Sequence, residues 1–183
     1  MKILLFAGSL RKDSFNKKLI KVTNNFLQKN SEHQTTVIDL QELQFPVYDA
    51  DIETKGIPEN VLKFSKAIGE ADLLIISSPE YNGSISSPLK NAIDWASRVK
   101  PMTITNKPIL MLGASPGALG AIRGLNHARM PLETLGNFLY PQLFGLQHAD
   151  QAFREDGELK DAVTMERLQK LVNSFLEFGK KLN

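Results

Sequence analysis

The stretch Leu73-Leu74-Ile75-Ile76-Ser77-Ser78-Pro79-Glu80-Tyr81-Asn82-Gly83-Ser84, leading into Leu89-Lys90-Asn91-Ala92-Ile93-Asp94-Trp95, decides the reading of this chain. Four consecutive large aliphatic residues followed by small and polar ones describe a strand buried on both faces that ends abruptly in a loop. The residues after the loop are amphipathic at helical spacing. Strand, loop and helix are the unit from which open α/β sheets are built, and such sheets bind ligands at the carboxyl ends of their strands. This loop offers one aromatic ring, one carboxylate, one amide and a glycine. That set suits a flat ring with polar edges, and a flavin is such a ring.

Working outward, apolar strand-like runs alternate with helical patterns along the whole chain. Strands are predicted over residues 2–7, 36–40, 72–77, 108–113 and 138–146, three of them nearly continuous in Val, Ile and Leu. A helix over 14–29 gains one apolar face from Phe15, Leu19, Val22 and Phe26. Further helices are expected over 59–68, from a start at Ser87-Pro88, over 121–135 with interruptions at Gly124 and Pro131, and over 161–181. Serine caps free amides and proline fits the first turn, so Ser87-Pro88 is a good start. The last helix carries Val163, Leu168, Leu171, Val172, Phe175 and Phe178 as an apolar stripe. Residues 41–58 are polar, contain prolines and lack periodicity, and read as a long loop. The pattern predicts an α/β, doubly wound three-layer sandwich with a five-stranded parallel sheet of order 2-1-3-4-5. Residues 1–183 are expected to form one domain. The switch point then lies between the first and third strands, and the loops leaving them flank the crevice.

Composition narrows the function. The 183 residues hold 22 Lys+Arg against 20 Asp+Glu, a net charge of +2, which suggests no footprint for nucleic acid or an anionic membrane. No apolar run reaches the length of a membrane span, and the amino terminus turns polar at Arg11-Lys12-Asp13, so it reads as a first strand and not as a signal peptide. With no cysteine in the chain, disulfides, thiolate metal sites and cysteine nucleophiles are excluded. The low-molecular-weight tyrosine phosphatases, which share this kind of fold, are excluded with them. The cytoplasm is the expected compartment.

The first loop, Gly8-Ser9-Leu10-Arg11-Lys12-Asp13-Ser14-Phe15-Asn16, follows a strand and opens a helix, so backbone amides and the helix dipole face whatever sits there. Ser9, Ser14 and Asn16 add neutral donors and Arg11 a guanidinium fork suited to phosphate. A mere helix cap explains Ser14 alone but not four phosphate-compatible side chains in so short a run. The loop is neither a Walker loop nor a dinucleotide turn, and it suits a compact terminal phosphate. In the second loop, Tyr81 is placed to stack and the amides near Asn82 and Gly83 to bond ring edges; read plainly, Asn-Gly there is a turn that supplies positive φ. The third, Gly113-Ala114-Ser115-Pro116-Gly117-Ala118-Leu119-Gly120, is either a ligand edge or a flexible turn. His33, His127 and His148 lack ligand-like spacing. Asp94 and Trp95 read as packing or subunit contact, Glu80 as orienting a backbone amide or a partner subunit, and Arg123 and Arg129 as candidates for a nucleotide 2′-phosphate.

The pattern Gly-Ser-x-Arg-x-x-Ser-x-Asn over residues 8–16, with Pro79-Glu80-Tyr81-Asn82-Gly83-Ser84 and the run from Leu89 to Trp95, resembles the NADPH-dependent FMN reductases, which include flavodoxin-like chromate, quinone and azo-dye reductases. The resemblance implies non-covalent FMN, NADPH or NADH as co-substrate, and a homodimer or tetramer. It implies hydride passed through the flavin to a small-molecule electron acceptor: a quinone, free flavin, an azo compound or a metal oxyanion such as chromate. By position, Ser9, Arg11, Ser14 and Asn16 match the phosphate contacts, with Phe15 in the same loop. Pro79, Glu80, Tyr81, Asn82 and Gly83 match the isoalloxazine contacts, and Ser115 and Gly117 fall in the third flavin loop. No protein acid or base is required, because the flavin carries the chemistry. Where many relatives have Pro-Gly, this chain has Ser86-Ser87, which leaves the helix start open. Two other readings stand beside the enzyme: a flavodoxin-type electron carrier, disfavoured by the +2 charge, and a non-enzymatic FMN- or nucleotide-binding module.

Overall fold

The computed structural model describes residues 1–29 and 32–182. Its elements in chain order are β1 (Lys2–Ala7), α1 (Phe15–Gln28), β2 (Gln34–Asp39), α2 (Leu40–Leu43), α3 (Ala50–Glu53), α4 (Glu59–Glu70), β3 (Leu73–Ser77), β4 (Glu80–Tyr81), β5 (Ser84–Ile85), α5 (Ser87–Ala96), β6 (Pro108–Ala114), α6 (Ile122–Thr134), β7 (Phe138–Leu139), β8 (Phe144–Leu146) and α7 (Ala162–Lys180). The parallel sheet runs β2-β1-β3-β6, with β7 and β8 both on the far side of β6. The chain leaves β1 toward β2 and returns to the other side of β1 as β3, which makes the expected switch point.

Successive residues of β1 and β3 face opposite ways and feed two separate cores. Ile3, Leu5, Leu73 and Ile75 pack with Leu19, Leu168, Val172 and Phe175 under α1 and α7. Leu4, Phe6, Leu74 and Ile76 pack with Phe64, Ile68, Ile93 and Leu125 under α4, α5 and α6. Every residue of β3 and β6 is buried, which is why these strands read as unbroken aliphatic runs. β2, the sheet edge, has no buried residue and accordingly carries Gln34, Thr35 and Thr36 in its first half.

Several expectations change. The strand predicted over 138–146 is two short strands, so the sheet has six members and not five. β7 pairs Phe138 with Pro108, while β8 pairs Phe144 with Leu112, a register shifted by two residues. Pro141 lies in the break; it has no N–H to donate, and the Arg129 guanidinium holds the bulging Tyr140 carbonyl instead. The long loop over 41–58 contains α2 and α3, each begun by an Asp side chain that caps it. α5 is capped by Ser86, with Ser87 and Pro88 inside the first turn. Val163 is 73% exposed because burial along α7 begins only at Leu168, where the helix reaches the sheet.

β1 ends at Gly8, where α5 comes in closely. A Cβ on Gly8 would lie 2.8 Å from Leu89 Cβ and 3.1 Å from Ser86 Oγ. Gly8→Ala is expected to lower stability by about 1–3 kcal/mol through overpacking, measured by urea unfolding of the cofactor-free protein.

Candidate functional site

Three loops leave the carboxyl ends of β1, β3 and β6. In the first, Ser9 and Ser14 are 2% and 4% exposed. Ser14 is the N-cap of α1, its hydroxyl accepting from the N–H groups of Asn16 and Lys17. Ser9 Oγ accepts from Arg11 N–H at 3.4 Å. Each hydroxyl is used as an acceptor and keeps its own proton to donate. Among the described residues, the backbone N–H groups of Leu10, Lys12, Asp13 and Phe15 have no protein acceptor. The Arg11 side chain is exposed and forms no ion pair among them. Asp13 would oppose an anion here, but Lys18 engages it at 2.7 Å; that hydrogen bond and charge hold its carboxyl below the usual range. The loop is therefore a cup of unmatched donors at a helix N-terminus.

Phe15 and Asn16 face inward. Phe15 stacks on Phe153 with ring centroids 6.4 Å apart, which docks the segment after β8 against α1. Asn16 is 2% exposed. Its Oδ1 accepts from the Ala114 N–H at 2.9 Å and the Ser77 hydroxyl at 2.8 Å, and its Nδ2 donates to the Ala114 carbonyl at 3.0 Å. The start of α1 is thus tied to the ends of β3 and β6.

The second loop, read from sequence as a turn, is a short antiparallel hairpin, β4–β5. Asn82 and Gly83, at φ +52° and +73°, make its two-residue turn, the type I′ geometry that Asn-Gly favours. Pro79 is buried and Tyr81 is 48% exposed. The Glu80 carboxylate turns away toward α6. Its Oε2 accepts from the N–H groups of Arg123 and Gly124 at 3.0 and 3.1 Å, and its Oε1 from Arg123 Nε at 2.7 Å. Burial opposes its ionised form, but the bonds from Arg123 and Gly124 and the Arg123 charge outweigh that and hold its carboxyl below the usual range.

In the third loop, Ser115 bonds through its backbone to Leu146 and Ala149, and its Oγ accepts from Gly117 N–H at 3.2 Å. A Cβ on Gly117 would meet only Ser115 Oγ, at 3.6 Å, so that surface is open to a ligand. Sequence reasoning missed the buried hydroxyls beneath the crevice. Ser86 Oγ donates to the Gly8 carbonyl at 2.6 Å and lies 3.2 Å from Ser78 Oγ. This explains why serine at 86 is compatible with the fold: it caps α5 and pins β1 at once. Trp95 is buried and donates to the Pro46 carbonyl, Asp94 pairs with Lys90, and Arg129 is taken up by Tyr140 and Glu133. His127 Nδ1 lies 3.1 Å from Ser84 Oγ.

Asn16→Ala leaves the Ala114 N–H, the Ala114 carbonyl and the Ser77 hydroxyl without their partner. It is expected to cost about 1–3 kcal/mol in the cofactor-free protein, read by chemical unfolding, with the secondary structure unchanged by circular dichroism.

The sequence pattern of the NADPH-dependent FMN reductases matches residues 1–151. The chain is 32% identical to an NAD(P)H-dependent FMN reductase of Pseudomonas aeruginosa over 185 residues, covering 100% of this chain and 97% of the relative. It is 31% identical to a quinone reductase of Escherichia coli, covering 97% and 95%. Among solved structures it superposes on the flavoenzyme NAD(P)H:(acceptor) oxidoreductase FerB from Paracoccus denitrificans with a TM-score of 0.85 and 32% identity, covering 98% of this chain and 97% of that one. A short-chain flavodoxin, at 13% identity and a TM-score of 0.60, shares the fold alone. With full-length relatives above 30% identity and a matching family pattern, the chain belongs to the NADPH-dependent FMN reductase family.

Proposed function

We propose that this protein is an FMN-dependent NAD(P)H oxidoreductase acting on quinones, with its flavin held across the three loops of one flavodoxin-like domain spanning residues 1–183. The single observation that carries the site is the cup of unmatched amide donors at residues 10–15, which fits a terminal phosphate. Family membership supplies the cofactor, FMN, and the reductant, NAD(P)H.

The residues divide the work. The hydroxyls of Ser9 and Ser14, the Arg11 guanidinium and the free amides bind the phosphate. Asn16 stays engaged with Ala114 and Ser77, so its part is to hold the cup level with the other strand ends. The N–H groups of the Asn82-Gly83 turn meet the polar edge of the ring. Tyr81 shields one side of that turn, and Ser115 and Gly117 leave room for another ring edge. Bound FMN supplies the redox chemistry, taking a hydride from the nicotinamide and passing two electrons to an acceptor. The chain needs no acid or base of its own for this; it orients, and it excludes water at the buried floor of Ser9, Ser77, Ser78 and Ser86. The acceptor class is quinones, as for the quinone reductase of Escherichia coli, with free flavin, azo compounds and metal oxyanions as further acceptors of an open flavin face. No helix among the described residues is long and apolar enough to cross a membrane. Dependence on NAD(P)H assigns the work to the cytoplasm, where the reduced nucleotide pools are.

We also propose that the working form is a homodimer or tetramer built on the groove between α5 and α6. This groove, of about 520 Å³, is lined by Ile85, Ile93, Met130, Pro131 and Leu135 among others, with Met130 73% exposed. Ser84 and Ile85 of the hairpin reach into it, so a second copy seated there would also brace a ring loop. Met130→Glu is expected to shift the protein to monomers in sedimentation velocity; an unchanged assembly would place the interface elsewhere.

The anaerobic titration of the FMN-reconstituted protein with NADPH tests the activity. Stoichiometric bleaching of the visible flavin band, reversed by adding a quinone, is expected. Flavin that stays oxidised would favour a carrier that takes electrons from a protein.

A further inference from the structure

We propose that Glu80 is a positioning residue: its carboxylate clasps the N-terminus of α6 to the β4–β5 hairpin, and so fixes relative to one another the two loops that meet the flavin ring, without itself touching the flavin. The inference rests on the ring lying against the Asn82-Gly83 turn and the loop before α6.

Most of the acceptor capacity of the carboxylate is used. An ionised carboxylate offers about four lone-pair sites. Here Oε2 takes the N–H groups of Arg123 and Gly124, and Oε1 takes Nε of Arg123 and lies in ion-pair contact with its Nη2. The Glu80 side chain is only 9% exposed, so little of it is open to a ring edge, whereas its neighbours Tyr81 and Asn82 are exposed.

α6 has no cap of its own. Its N-cap residue, Ala121, sits at φ +69° and makes no side-chain hydrogen bond. The first amides of a helix need an acceptor, and the acceptor comes from Glu80, 43 residues earlier. The hairpin in turn has two residues per strand, too few to hold a turn in place unaided. Each element lacks what the other supplies.

The approach is also as close as backbones allow. A Cβ on Gly124 would lie 2.8 Å from the Ser84 carbonyl oxygen and 3.0 Å from Glu80 Cβ. Ser84 and His127 add a second contact between the same two elements, at 3.1 Å. Because only the N-cap residue Ala121 separates Gly120 from α6, the clasp that fixes the helix end also fixes the close of the third loop.

The experiment uses Glu80→Ala, Glu80→Gln and Arg123→Gln in the full chain. Amide hydrogen exchange is measured in the cofactor-free protein and the flavin midpoint potential in the FMN-loaded protein. In Glu80→Ala, exchange is expected to quicken together at Arg123 and Gly124 and at the paired hairpin residues Tyr81 and Ser84, and the potential to move negative as the turn's donors leave the ring edge. Glu80→Gln keeps two acceptor sites and is expected to restore most of both readouts. Arg123→Gln keeps the two amide bonds and is expected to fall between, which preserves the test if Glu80→Ala does not fold. Unchanged protection of the hairpin in these variants, or a loosened hairpin with an unmoved potential, would overturn the proposal. Failure of the wild-type protein to bind FMN would instead defeat the placement of the flavin, while exchange in the cofactor-free protein would still report on the clasp.

Discussion

The side-chain amide of Asn16 ties the first turn of α1 to the ends of two neighbouring strands, just beyond their last backbone hydrogen bonds. From the first turn of α1 it reaches the ends of β3 and β6, spending its three bonds on Ser77 and Ala114. Parallel strands can end at any height, and a crevice exists only if several end at the same height. This amide bonds β3 and β6 at one height, and the loop that carries it leaves β1 beside them. Its burial makes the arrangement stringent, since a buried polar group without partners costs about 1–3 kcal/mol.

Around it the floor of the crevice is made of small hydroxyls. Ser9, Ser77, Ser78 and Ser86 are all buried at the junction of β1, β3 and α5. Larger side chains would fill the space above them, and Gly8 has no room even for a methyl group. The result is a polar floor at the strand ends of a sheet that is otherwise aliphatic. Binding and packing are separated by position along the strand: aliphatic residues through the middle, hydroxyls and glycines at the carboxyl end.

Much of this was legible in the sequence. The strands at 72–77 and 108–113 declared themselves because burial on both faces demands unbroken aliphatics, and their order followed from alternation with helices. Every residue singled out for the site lies on, or directly after, a loop leaving β1, β3 or β6. What the sequence did not show is where each side chain points. Glu80 looked like a member of the ring loop, yet it is spent on α6; Phe15 looked like a loop residue, yet it packs on Phe153. Contacts across 43 residues, or 98 in the case of Asn16 and Ala114, leave no periodic trace. The split of the last strand was illegible for a related reason: Phe138 to Leu146 is apolar enough for one strand, and only the pairing with β6 shows that Pro141 breaks it.

The borrowed cap of α6 has a consequence for how the chain assembles. A helix capped by its own neighbouring residue can start as soon as those residues are made. This one lacks an acceptor for the first amides of its first turn until a hairpin 43 residues upstream has docked, so helix and hairpin form together and not from local sequence alone. By the same logic that turn is among the parts that open most easily in the finished protein.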